Sequence, residues 1–369
     1  MSSAPVLVKG SGQGLGEPAA ILLLQLGDIG DVVLTTPCIR SLRTRFPRAR
    51  LEVAVRDKAA ALLADCPWLD GIIPVRKARG GWLGELAGQL DLARALRRPG
   101  FQVAIDLRTG TRGAILAWLS GASRRLGFYA DSEPGWRNHL FTDLLRHDYT
   151  PDLHVTDHLL GLLEGFGIPI SHRSPELVVG PGSRAGADRL LAEITPGDGP
   201  LVAVQPFSLW RYKEWGTEKY VALIRWLLAE RCATVLVTGG PAEQARAEAI
   251  ARECGSGCHN LAGRTSLSLY AALLQQCRLF IGVDSAGLHI AAAVGTPTVS
   301  LFGPSSAVSW APVGPGHRVV QKDFPCLPCR EKGCGNSEKS RCLDELSVAE
   351  VTAAVAGQLD AWETATIQS

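Results

Sequence analysis

Four short segments hold the residue types and spacings that group-transfer chemistry needs. In LGDIGDVVLTTP (26–37) an apolar run stops at Leu26, and Gly27 and Gly30 bracket a turn carrying Asp28 and Asp31. A carboxylate at such a strand-to-helix turn either takes a proton from an acceptor hydroxyl or caps the helix that follows. In VDSAGLH (283–289) a helix opens with Ser285, Ala286 and Gly287, straight after Asp284. Unpaired N–H groups and the helix dipole favour an anion there, and small side chains let a diphosphate come close. His289, about one turn further on, faces the same anion or packs internally. In QPFSLWRYKEWG (205–216) Ser208 offers a hydroxyl, and Arg211 or Lys213 a counter-charge. The alternative is a solvated basic loop anchored by Trp210 and Trp215. In VTGGPAEQ (237–244) Gly239 and Gly240 allow close approach of a ligand, while Glu243 accepts from a ribose hydroxyl or complements a helix dipole.

These segments need a scaffold that presents them together. From Ala20 the chain alternates continuous apolar runs with longer helical patterns. The runs AILLLQL (20–26), LEVAV (51–55), GIIPV (71–75) and FQVAIDL (101–107) read as strands buried on both faces of a parallel sheet. Helical patterns fill 31–45, 57–64, 82–97 and 111–119. A second series starts with LVAVQPF (201–207) and continues through ATVLVTG (233–239), LFIGVD (279–284) and PTVSLFG (297–303). Two successive βαβα series predict two doubly wound α/β domains, with ligands beyond the carboxyl ends of the strands. The Gly/Ser-rich residues 1–17 read as a loose tail, followed by a first domain over 18–180. A linker at 181–200, a short helical pattern with Gly/Pro clusters at both ends, reads as a hinge, and the second domain spans 201–346. The remaining segment, 347–369, opens with a helix whose Ser347 and Glu350 form a capping box.

Composition narrows the function classes. The chain has 369 residues, 46% hydrophobic and 20% charged, which suits about two domains and excludes global disorder. A net charge of +2 excludes coating nucleic acid by charge alone. The apolar stretch 19–24 is too short to span a bilayer and lacks the marks of a secretory signal, so the cytosol is the expected compartment. A dinucleotide loop at Gly10, Gly12, Gly14 and Gly16 fails, because these glycines precede the first strand and lack the required spacing. That also disfavours a dehydrogenase.

Together the segments describe a nucleotide-diphosphate pocket on the second domain facing a carboxylate on the first. Glycosyl transfer needs that division, with the leaving diphosphate stabilised by one side and the acceptor deprotonated by the other. Gly30-Asp31-Val32 with Thr35-Thr36-Pro37, Ser208 with Lys213-Glu214-Trp215, Asp284-Ser285 with His289, and Leu301-Phe302-Gly303-Pro304 resemble glycosyltransferase family 9 in register over about 20–350. That is the family of ADP-heptose:lipopolysaccharide heptosyltransferases. The segment 317–343 resembles its heptosyltransferase III-like branch. The resemblance implies a GT-B fold, two Rossmann-like doubly wound parallel-sheet domains facing across a cleft. It also implies inversion at the anomeric carbon without a metal or other cofactor. By position, Asp31 matches the catalytic base, Lys213 the phosphate-binding lysine, Ser285 to His289 the phosphate-cradling turn and Glu243 the ribose contact. Ala286 stands where many members have glycine. The expected partners are ADP-heptose, or a related nucleotide sugar, and a lipid-linked core oligosaccharide met peripherally at the inner membrane.

Other residues remain as candidates. Arg108 and Arg112, after the strand ending at Asp106, could face an anionic acceptor together with Asp28, and Asp28 or Asp106 would be the substitute base. Cys326, Cys329, Cys334 and Cys342 have a spacing that could hold a structural zinc, with free or oxidised thiols as the alternative. His154 and His158, with Asp157 nearby, read as core or cap residues rather than a metal site. The rival functions are transfer of another nucleotide sugar to a different surface polysaccharide, and non-catalytic binding of a nucleotide sugar.

Overall fold

Apolar runs that offer no polar face have to be covered on both sides, and here they become the inner strands of two parallel sheets. A computed structural model describes residues 4–76, 82–131, 134–194 and 197–367, without the side chains of 82–86 and 362–367. The chain divides into two units, 1–178 and 179–369.

The first unit contains β1 (Val6–Lys9), β2 (Ala20–Gln25), β3 (Arg50–Arg56), β4 (Gly71–Val75), β5 (Val103–Asp106), β6 (Arg124–Phe128) and β7 (Asp143–Arg146). Their order in the sheet is β1-β7-β6-β5-β2-β3-β4, and every pair but β1·β7 is parallel. The second unit contains β8 (Leu201–Gln205), β9 (Thr234–Val237), β10 (Cys258–Asn260), β11 (Leu279–Val283), β12 (Thr298–Leu301) and β13 (His317–Val320). These are all parallel, in the order β10-β9-β8-β11-β12-β13. Leaving β1 aside, each sheet runs third-second-first-fourth-fifth-sixth. The strand order therefore reverses between β2 and β5 in one unit, and between β8 and β11 in the other. At such a switch point the loops diverge and leave a crevice.

Several boundaries differ from the sequence reading. The tail expected to be loose supplies β1, which pairs antiparallel with β7, and Lys9 Nζ donates to the Phe141 carbonyl at 2.6 Å. Residues 1–3 lie outside the described part. The single helix expected over 31–45 is two, Ile29–Leu34 and Thr36–Arg45, because Pro37 enters at the start of the second. The segment 57–64 is a short helix, Asp57–Ala60, followed by a 3-10 turn, Ala61–Leu63. The short helical pattern expected within the hinge at 181–200 forms the helix Pro181–Ala192, which buries Ala187 and Leu190 and packs on Leu267–Gln276. It belongs to the second unit, and residues 195–196 are outside the described part. The C-terminal helix, Val348–Ile367, sends Val351, Val355 and Leu359 into the core shared with Leu223 and Leu227, so it too is part of that unit. Its capping box forms as expected: Ser347 N–H donates to Glu350 Oε2 at 2.9 Å, and Glu350 N–H to Ser347 Oγ at 3.3 Å. Among the described residues no helix is long and apolar enough to cross a membrane.

The histidines near residue 155 are structural. His154 caps the helix Val155–Gly165, its Nδ1 accepting from Thr156 N–H at 3.2 Å. His158 stacks on Phe128 (4.5 Å) and on His147 (4.9 Å), which also contact each other, with Tyr149 edge-on at 5.2 Å. Asp157 pairs instead with Arg173 at 3.0 Å. Burial, helped by the neighbouring His147, pushes His158 from 6.5 down to about 4. The folded state therefore resists protonation, and this contribution to stability is complete above pH 6.5 and lost as pH falls toward 4. Urea unfolding at pH 7 and pH 5 should show wild type losing about 2 kcal/mol more than His158→Phe. An equal loss in both proteins would remove His158 as the titrating group.

Candidate active site

In the first unit the crevice lies where β2 and β5 run side by side, with Leu24 opposite Asp106. After β2 the chain turns through Gly27 into the helix Ile29–Leu34, placing Asp28 at its N-cap and Asp31 at its third position. Asp31 Oδ2 accepts from Asp28 N–H at 2.8 Å and from Arg108 Nη1 at 3.0 Å. Capping and the ion pair with Arg108 thus fall on one carboxylate. The Asp31 side chain is 17% exposed, whereas Asp28 is 72% exposed and pairs with Arg56 at 2.8 Å. A Cβ on Gly27 would lie 2.3 Å from Asp31 Oδ2, so only glycine leaves room for this arrangement. Gln25, which sequence reasoning missed, braces the turn by accepting from Gly27 N–H at 3.0 Å and donating to Thr35 Oγ1 at 2.8 Å.

The two arginines expected to act together part company. Arg108 sits on Asp31, while Arg112 reaches the Arg76 carbonyl at 3.4 Å and is exposed. Beneath Arg108, Asp106 and Arg137 are both 0% exposed and lie 3.8 Å apart. Burial pushes the Asp106 carboxyl up to about 7, against the downward pull of Arg137.

In the second unit the crevice lies between β8 and β11, where Gln205 is opposite Gly282. Ser285 is the N-cap of the helix Ala286–Ala293. Lys213 Nζ donates to Asp284 Oδ2 at 2.6 Å, and His289 Nε2 lies 4.0 Å from Asp284 Oδ1. Asp284 and His289 are buried, so the cation is held directly before the helix N-terminus. Ser285 Oγ accepts from Gln205 Nε2 at 3.1 Å, Gln205 Oε1 accepts from Tyr270 OH at 2.7 Å, and Tyr270 meets Thr238 Oγ1 at 3.0 Å. A Cβ on Gly287 would stand 2.0 Å from Gln205 Oε1 and 2.8 Å from Tyr270 OH. Glycine at 287 is required by this buried network, a reason the sequence reading did not contain.

Ser208 is bonded within its own loop. Its N–H donates to Glu214 Oε1 at 3.3 Å, and its Oγ accepts from Trp210 N–H at 3.4 Å. Glu214 is held by both terminal nitrogens of Arg246, which lies over the Phe207 ring. Of the two tryptophans expected as anchors, only Trp215 is buried, donating to the Leu346 carbonyl at 2.8 Å, whereas Trp210 is about half exposed. Glu243 Oε2 accepts from Gly240 N–H at 2.6 Å and so caps the turn after β9. Gly239 again leaves the space, since a Cβ there would meet Glu243 Oε2 at 2.7 Å. Cys326, Cys329, Cys334 and Cys342 are free thiols, exposed at 326 and 334 and buried at 342. Among the described residues no three His, Cys, Asp or Glu side chains are arranged to hold a metal ion, so the zinc alternative gains no support from their placement.

The model of glycosyltransferase family 9 (heptosyltransferase) matches residues 89–339. The chain belongs to that family. The match begins beyond Asp31, whose assignment therefore rests on its position and geometry. Lipopolysaccharide heptosyltransferase 3 of Escherichia coli is 28% identical over 336 residues, 88% of this chain and 95% of its own length. A glycosyl transferase family 9 structure from Veillonella parvula superposes with a TM-score of 0.81 at 21% identity, covering 95% of this chain and 99% of that one. E. coli heptosyltransferase WaaC, solved with ADP-2-deoxy-2-fluoro heptose, gives a TM-score of 0.70 at 18% identity, covering 92% and 99%. The fold class is the expected GT-B class with two Rossmann-like units, and this member of family 9 is a glycosyltransferase enzyme.

Breaking the network below the helix start should be measurable. Gly287→Ala forces Gln205 or Tyr270 to lose a buried partner and should lower unfolding free energy by at least about 1–3 kcal/mol in denaturant titration. A Gly287→Ala protein as stable as wild type would show that the network yields without loss.

Proposed function

We propose that this glycosyltransferase moves heptose from ADP-heptose to a lipopolysaccharide core acceptor, with inversion and without a metal ion, and with Asp31 as general base. The supporting observation is that each switch point carries one half of the chemistry. A carboxylate held by Arg108 stands at one, and a lysine beside a helix N-terminus at the other. The acceptor oxygen bonds to the anomeric carbon as the bond from that carbon to the ADP oxygen breaks. The acceptor proton passes to Asp31, and the electron pair leaves with ADP. Because Lys213 and Asp284 are neutral as a pair, the diphosphate is drawn by the N–H groups of Ala286–Ala293 and by Lys213 exchanging its partner. Ser208 and His289 flank the phosphates, and Gly239, Gly240 and Glu243 line the nucleoside end. Asp28, Arg108 and Arg112 are the acceptor-side groups. The lipid-linked acceptor brings the protein to the cytoplasmic face of the membrane as a peripheral enzyme.

Asp31→Asn should lower kcat by about two to four orders of magnitude while ADP binding stays near wild type. Near-normal turnover would move the base to Asp28. Transfer should also survive EDTA, since lysine and helix supply the charge stabilisation. Loss of turnover that Mg²⁺ or Mn²⁺ specifically restores would overturn the metal-free mechanism.

A further inference from the structure

Beneath the Asp31 turn lies an ion pair for which the mechanism above has no use. Asp106 ends β5, Arg137 is the second residue of the short helix Trp136–His139, and neither side chain is exposed. Asp106 Oδ1 accepts from Arg108 N–H at 3.2 Å, and Arg137 Nη2 donates to the Arg108 carbonyl at 2.9 Å. Both backbone polar groups of one exposed residue are thus gripped by a single buried pair. Arg137 is fixed in turn: its Nη1 donates to the Phe128 carbonyl at 2.7 Å and to Asn138 Oδ1 at 3.0 Å, and its guanidinium lies 4.6 Å from the Phe141 ring centre.

The surroundings are cut to fit. A Cβ on Gly113 would lie 2.3 Å from Asp106 Oδ2, and one on Gly127 would lie 2.8 Å from the Phe141 ring. Stability alone is a weak reason to bury such a pair, because removing two charges from water offsets most of their attraction. What the pair does deliver is a fixed backbone at Arg108, whose Nη1 stands 3.0 Å from Asp31 Oδ2.

We propose that Asp106 and Arg137 are positioning residues that hold Arg108 on the Asp31 carboxylate. This rests on the reading of Asp31 as the base. Neither residue touches substrate; both act through the Arg108 backbone.

A double-mutant cycle tests it. Asp106→Asn removes the charge that pairs with Arg137 and sets an amide N–H group against its guanidinium, so kcat/KM for the acceptor should fall about tenfold with the Kd for ADP within about twofold of wild type. In an Arg108→Ala background the same substitution should change kcat/KM by no more than about twofold. A tenfold fall in both backgrounds would show a purely structural pair and overturn the proposal, as would no fall in the wild-type background. If Asp106→Asn does not fold, Arg137→Lys, which keeps the charge but loses the planar fork, goes through the same cycle with the same expectation. Asp31→Asn run alongside separates the two ideas: normal turnover there sinks the base, while coupling between Asp106 and Arg108 would still be read in the acceptor KM.

Discussion

A carboxylate at the carboxyl end of a buried strand, or in the turn just beyond it, loses much of its water and must be given donors or a cation in return. This chain meets that requirement three times, each at a point where strand order reverses. Asp31 has Arg108 and the Asp28 N–H, Asp106 has Arg137 and the Arg108 N–H, and Asp284 has Lys213. In the function proposed here, the chemistry is gathered around the first and third of these, and the second is proposed to hold the first in place.

The glycines follow from the same constraint. Gly27 admits Asp31, Gly113 admits Asp106, and Gly287 admits the Gln205–Tyr270 contact under the helix that begins beside Asp284. In each case a side chain would occupy the space of a polar group that has to reach its partner. A substitution at any of them would therefore displace the site's charge arrangement as well as the local backbone.

Much of this was legible in the sequence, for identifiable reasons. Inner parallel strands such as AILLLQ have no polar face, so β2–β5, β8, β9, β11 and β12, and with them the two-unit division, could be read from apolar runs, whereas β6, β7, β10 and β13 were not read. Asp31, Lys213 and Ser285 stood out because they follow such runs. The strand Val6–Lys9 was missed because its three apolar residues remain exposed at a sheet edge, where four residues carry too little pattern. Arg137 was invisible because a buried arginine and a surface arginine look alike in one sequence, and only its packing on Phe141 separates them. For Gly287 the sequence held only part of the reason. Its smallness read as room for a diphosphate; it also makes room for Gln205, which lies eighty-odd residues away, and spacing cannot reveal so distant a contact.

In the proposed reaction donor charge is met on the second unit, by Lys213 and the helix that follows Asp284. Calorimetric titration of ADP into Lys213→Ala and Arg108→Ala tests it most directly. A charge-assisted contact contributes about 1.5–3 kcal/mol, so Lys213→Ala should bind ADP about ten- to a hundredfold more weakly, and Arg108→Ala should bind it as wild type does. Full ADP affinity in Lys213→Ala, or its loss in Arg108→Ala, would place the donor's phosphates on the other unit and contradict the assignment.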